Sequence, residues 1–170
     1  EKLFLYVGEK SSIEADDVKE VVGMSRQYNV FELQNAVSAK DIGRALEILE
    51  HMIDAGEQPI GVIVMLTRFF QKLWVIKDGL SRRKSKQDIA ALLRISPKQM
   101  YYLDSDLQNA QKFTLSEIEQ GFLLLRDADL RLKTSTGDVK LVMTLLLYHI
   151  VKGEMVEIEL GAAPVVDQPP

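Results

Sequence analysis

The side chains best suited to chemistry are two histidines, His51 and His149, on different predicted helices. His51 follows Glu47 and precedes Asp54, at i−4 and i+3, so a helix places all three on one face. Such a face could bind a metal weakly, but local ion pairing on a solvated surface is the simpler reading. His149 falls near the end of a predicted helix, where a cation complements the macrodipole. Asp127 and Asp129 point to different sides of their helix and make no acid/base pair. Asp129 and Lys133 are spaced for a surface ion pair worth about 0.3–0.5 kcal/mol. No serine has an assignable histidine and acid. Neither G-x-x-x-x-G-K-[ST] nor G-x-G-x-x-G occurs, so no phosphate cradle is visible. The lack of cysteine excludes disulfides, zinc thiolates, iron–sulfur clusters and a thiol nucleophile, and fits a reducing, cytoplasmic setting. No catalytic residue, metal or cofactor is expected. A small enzyme with an unfamiliar site would need a deep pocket holding a strongly perturbed acid.

Two segments carry binding signals. Arg82-Arg83-Lys84-Ser85-Lys86 lies in a predicted loop, and its cations Arg82, Arg83, Lys84 and Lys86 could contact phosphates. Short basic loops are also commonly just solvated. The run Asp88–Met100 looks like a helix-turn-helix: Ala90 suits a tight crossing, and Ile95 and Met100 suit buried positions. Arg94 stands where the turn usually has glycine. A helix-turn-helix DNA-binding regulator is therefore an alternative reading. Against it, the second helix would begin Ser96-Pro97-Lys98-Gln99 with one cation. The net charge of −4 also arises entirely from the acidic residues 154–170, leaving a neutral body with weak expected affinity for DNA.

The elements that must position these groups are helical almost throughout, so the fold class is all-α. The 170 residues, 46% apolar and 27% charged, suffice for one large or two small domains with a sizeable core. Glu1–Val7 reads as a helix end, and Ala15–Val22 as a second short helix. Asn29 with Glu32 opens a helix through about Val37, and Asp41 caps the next, which Gly56 ends. Pro59 begins a long helix to about Asp78. Ser85/Asp88, Ser96-Pro97, Thr114/Glu117 and Asp138 open four more, reaching about Arg94, Ala110, Lys133 and Lys152. Met155–Leu160 alternates like a strand, and Gly161–Pro170 reads as a loose extended tail. The apolar stretches Ile60–Leu66 and Leu141–Val151 are too short to span a membrane, and no stretch of this sequence reads as a signal peptide. Two helices, Ile60–Asp78 and Val139–Lys152, are apolar almost all round. Such a helix is either central to its own domain or covered by another chain. The narrow polar stripe Thr67, Arg68, Gln71 and Lys72 and the basic loop are the candidates for the polar rim of such an interface.

Taken together, these pieces resemble the C-terminal part of the delta subunit family of bacterial DNA polymerase III, the clamp-loader subunits. The matching stretches are Tyr28-Asn29-Val30-Phe31-Glu32-Leu33 with Asn35-Ala36, Ala45-Leu46-Glu47-Ile48-Leu49, and Gly56-Glu57-Gln58-Pro59 with Leu66-Thr67-Arg68. Further along come Ile89-Ala90 with Leu93, Ile95 and Pro97, then Ala110 with Lys112-Phe113, and Ala128-Asp129 with Lys133. Asn35 stands where Asp is common. The resemblance implies an AAA+-like protein without a working ATPase site. It implies residues 1–26 as the end of a small helical lid, 27–152 as a helical collar (oligomerisation) domain, and 153–170 as a tail. It further implies a non-catalytic subunit of a DNA-directed DNA polymerase holoenzyme, a nucleotidyltransferase complex. Its partners would be gamma/tau and delta-prime type loader subunits. The sliding clamp would be met only through an N-terminal domain absent from this chain, DNA contact would be weak or indirect, and no membrane is involved.

Overall fold

Four helices begin where a short polar side chain takes up free N–H groups of the first turn. The computed structural model describes residues 30–134 and 138–153, and no strand occurs among the described residues. Helix α1 covers residues 30–38, α2 Ile42–Asp54, α3 Pro59–Ser81 and α4 Lys86–Leu92; a 3-10 turn at Pro97–Gln99 leads into α5 Met100–Gln111, followed by α6 Leu115–Thr134 and α7 Val139–Lys152. Asp41 accepts from the Arg44 N–H at 3.0 Å. Ser85 and Asp88 form a reciprocal capping box, as do Thr114 and Glu117. Asp138 accepts from the Lys140 and Leu141 N–H groups. Pro59 occupies the first turn of α3, which continues past Asp78 to Ser81. The expected helices at Glu1–Val7 and Ala15–Val22, the Asn29 cap, the Met155–Leu160 strand and the final tail lie outside the described residues.

Helices α1 to α4 all stop in the same way. In each, the N–H three residues past the last helical residue bonds back to a carbonyl five residues earlier: Asp41 to Ala36, Glu57 to Met52, Lys84 to Gly79, and Ile95 to Ala90. This closure needs a left-handed residue. Only α2 uses glycine there, Gly56 at φ 88°; the others use Lys40 (φ 58°), Arg83 (φ 54°) and Arg94 (φ 54°). The position where a helix-turn-helix usually has glycine thus keeps the glycine conformation with an arginine in it. A side chain in this region costs about 1–2 kcal/mol, partly offset by the lower unfolded-state entropy of a non-glycine residue. Arg94→Gly is therefore expected to stabilise the chain by about 0.5–1 kcal/mol, read as a higher urea midpoint with unchanged slope. A lower midpoint would mean the Arg94 side chain makes a compensating contact.

The core is organised around α3. Val62, Ile63, Leu66, Phe69, Phe70, Leu73 and Ile76 are all buried along it. One side of α3 packs on α6 and another on α5; α7 lies against α6 and reaches back to α2. Phe70 sits among Phe69, Phe113 and Phe122 in edge-to-face contacts, with centroids 5.6, 5.6 and 6.3 Å away. Each fully buried ring or branched side chain contributes about 1.5–3 kcal/mol of burial free energy. The α3 helix, at 23 residues, is long and apolar enough to cross a membrane, which the shorter stretch Ile60–Leu66 did not suggest. Its seven large core residues and the cations Arg68 and Lys72 beside its midpoint make it instead the spine of this domain, since a cation at the centre of a bilayer costs about 2.5–3.5 kcal/mol.

Candidate assembly interface

The polar stripe on α3 does not stay together. Lys72 turns towards α5, where its ammonium donates to both carboxylate oxygens of Asp106 at 3.0 and 2.8 Å. Asp106 is only 5% exposed, so this pair belongs to the α3–α5 packing. Thr67, Arg68 and Gln71 face the opposite way and line a groove between α3 and α6. Thr67 donates its hydroxyl to the Ile63 carbonyl at 2.8 Å, a bond local to the helix.

The groove has two connected parts that share Gln71 and Phe122. Towards the α3 C-terminus it is apolar, about 630 Å³, with Trp74, Val75, Phe122 and Leu123 in its walls. Towards the α3 N-terminus it measures about 440 Å³ and has Arg68, Arg126, Asp129 and Lys133 on its banks. Lys133 is held by Asp129 at 2.6 Å, the i,i+4 pair expected from the sequence. Arg68 and Arg126 make no ion pair with any described residue. Val64, Trp74, Leu123 and Leu130 remain exposed along these two helices. Helix α7 leaves a second apolar stripe, Leu141, Leu145 and Tyr148. Among the described residues, each of the two over-apolar helices thus fills the core with one face and exposes large side chains on another.

The basic loop is largely committed. Arg82 pairs with Asp78 at 2.9 Å and Lys86 with Asp104 at 2.5 Å. Arg83 is the left-handed residue that closes α3, and Lys84 supplies the N–H of that closure. Arg83 and Lys84 make no ion pair among the described residues, though, after the Ser85 hydrogen bonds, the Lys84 charge helps hold the Asp88 carboxyl below its ordinary value. In the Asp88–Met100 segment, Ile89 and Ala90 are buried, and Ile95 and Met100 pack on the core as anticipated.

Of the histidines, His51 is exposed, and its neighbour Glu47 pairs with Arg44 at 2.8 Å. His149 is instead 5% exposed between α7 and α6, with Nδ1 buried and unbonded. The sequence reading placed it against the helix dipole and missed this burial. Asp127 and Asp129 do diverge: Asp127 binds Arg131 at 2.7 Å, away from the groove that Asp129 lines. Among the described residues no cluster of three metal-binding side chains forms.

Glu117 does more than cap its helix. It also accepts from Lys40 at 3.0 Å, and the Lys40 ammonium lies 4.3 Å from the centre of the Phe113 ring. Burial pushes the Glu117 carboxyl up, but the bonds from the Thr114 N–H, Lys40 and the Thr114 hydroxyl outweigh it and hold it below its ordinary value. Asn35 accepts from the buried Asn109 amide at 3.2 Å. The carbonyl oxygen supplies the acceptor that a carboxylate would.

The fold is that of one part of a clamp-loader subunit. The structure titled Bacillus subtilis DNA clamp loader delta protein matches with a TM-score of 0.69 at 24% identity, covering 89% of this chain and 44% of that one. Residues 27–150 match the family described as DNA polymerase III delta subunit, C-terminal domain, and the chain belongs to that family. DNA polymerase III subunit delta of Bacillus subtilis (strain 168) is 25% identical over 152 residues, 89% of this chain and 43% of that protein. A probable DNA polymerase III subunit delta of Aquifex aeolicus (strain VF5) is 35% identical over 78 residues, 45% of this chain and 22% of that protein. The chain spans less than half the length of these relatives. Nothing in these likenesses supports the alternative of a helix-turn-helix regulator.

Proposed function

We propose that this chain is a non-catalytic assembly module, joining the helical collar that holds a clamp loader together for DNA replication. The reading is carried by one observation: the family match coincides with a helical domain whose two most apolar helices expose large side chains. Residues 27–152 would be the collar domain, 1–26 the end of a lid and 153–170 a tail. The partners would be gamma/tau and delta-prime type subunits in the cytoplasm, with clamp contact made by a domain outside this chain. DNA would be met weakly, since the committed basic loop leaves few cations free.

Size-exclusion chromatography with light scattering tests this reading, using the chain alone and mixed with the gamma/tau and delta-prime type subunits. Co-elution at a defined stoichiometry is expected. A monomer that ignores both partners would count against the collar reading.

A further inference from the structure

We propose that the α3–α6 groove seats an amphipathic helix of a partner loader subunit, with carboxylates at one end and large apolar side chains at the other. This rests on the collar reading and specifies the chemistry of its contact. From Val64 to Trp74 the groove follows α3 for ten residue steps, about 15 Å at 1.5 Å per step, which suits roughly three turns of a docked helix. Its apolar end offers Trp74 and Phe122, whose rings lie 6.3 Å apart, as aromatic anchors of the kind that dominate interface energies. Its other end carries Arg68 and Arg126, two guanidiniums with no ion-pair partner among the described residues. Arginine recognises carboxylates through two parallel hydrogen bonds, so this end calls for Asp or Glu on the incoming helix. The other apolar stripe, on α7, is the weaker candidate. The cavity beside it is about 90 Å³, and the charges there, Asp127 and Arg131, already bind each other.

Trp74 is the single tryptophan of the chain and reports on the groove directly. The experiment titrates the full chain with the gamma/tau type subunit and follows Trp74 emission, using W74F as the blank. A blue shift is expected on binding, with an affinity that falls as salt rises. Arg68→Glu combined with Arg126→Glu should weaken binding by tenfold or more while leaving the thermal midpoint unchanged, because neither arginine makes an ion pair among the described residues. If the unmodified chain assembles but the double variant binds within twofold of it, or Trp74 emission does not move, the groove proposal is overturned and the collar reading stands. Failure of the unmodified chain to assemble overturns both. A shift in Trp74 emission on deleting residues 154–170 from the isolated chain would assign the groove to this chain's own acidic tail, and so overturn the partner helix.

Discussion

Gly121→Val is expected to unfold the domain or cost it about 3 kcal/mol or more. A Cβ at Gly121 would fall 2.5 Å from Cε1 and 2.8 Å from Cδ1 of Phe70, closer than atoms can pack. Phe70 has nowhere to retreat, since Phe69, Phe113 and Phe122 surround its ring. Gly121→Ala sets two effects against each other. Alanine gains about 1 kcal/mol of helix propensity over glycine, while overpacking a filled core costs about 1–3 kcal/mol. The clash should win, with a net loss of about 1 kcal/mol. Urea denaturation gives the size, and near-ultraviolet circular dichroism shows whether the aromatic cluster has shifted. An alanine variant as stable as the parent would mean that the ring can turn aside. Phe70 touches Phe122, whose other side walls the groove, so a displaced ring should also reach the proposed interface.

Lys72→Met should be the second large effect, a loss of about 3 kcal/mol. It strands the Asp106 carboxylate, whose side chain is 8% exposed, without its counter-charge. The reverse change is milder. Asp106→Ala frees an ammonium that is already 29% exposed and can swing into water, for a loss of about 1 kcal/mol. The double variant Lys72→Met/Asp106→Leu should recover most of the loss, because a desolvated ion pair is often no more stabilising than well-packed apolar groups. The double-mutant cycle measures this as a coupling above about 1 kcal/mol. Additive losses would show that the two side chains contribute separately. This pair also changes how an assembly experiment must be designed. Charge reversal at Lys72 attacks the fold, whereas reversal at Arg68 does not, so only the latter reads the interface.

Much of the architecture could be read from spacing alone because the signals that start and stop helices are local. Asp41, Pro59, Ser85 with Asp88, Thr114 with Glu117, and Asp138 each act within one turn, and each stands where the sequence places a helix start. The Asp129–Lys133 pair was legible for the same reason. The candidate interface was legible only in part. The stripe Thr67, Arg68, Gln71 and Lys72 is narrow on a helical projection, but its two edges meet different neighbours. Nothing within α3 reveals that Asp106, 34 positions away, claims Lys72.

The α6 half of the groove was likewise hidden. Arg126 and Leu123 become groove residues only because α6 packs beside α3, a choice made by Gly121 admitting the Phe70 ring. An isolated glycine inside a helical pattern is a signal for close approach, yet it does not say which ring approaches. His149 shows the same limit, since its place near a helix end is local whereas its burial against α6 is not. By itself, then, the sequence determined the helical class, the caps and the resemblance to a clamp-loader subunit, because periodicity and capping act over a few residues. Tertiary structure decided which charges are spent inside the fold and which face outward, because that depends on side chains brought together from distant helices.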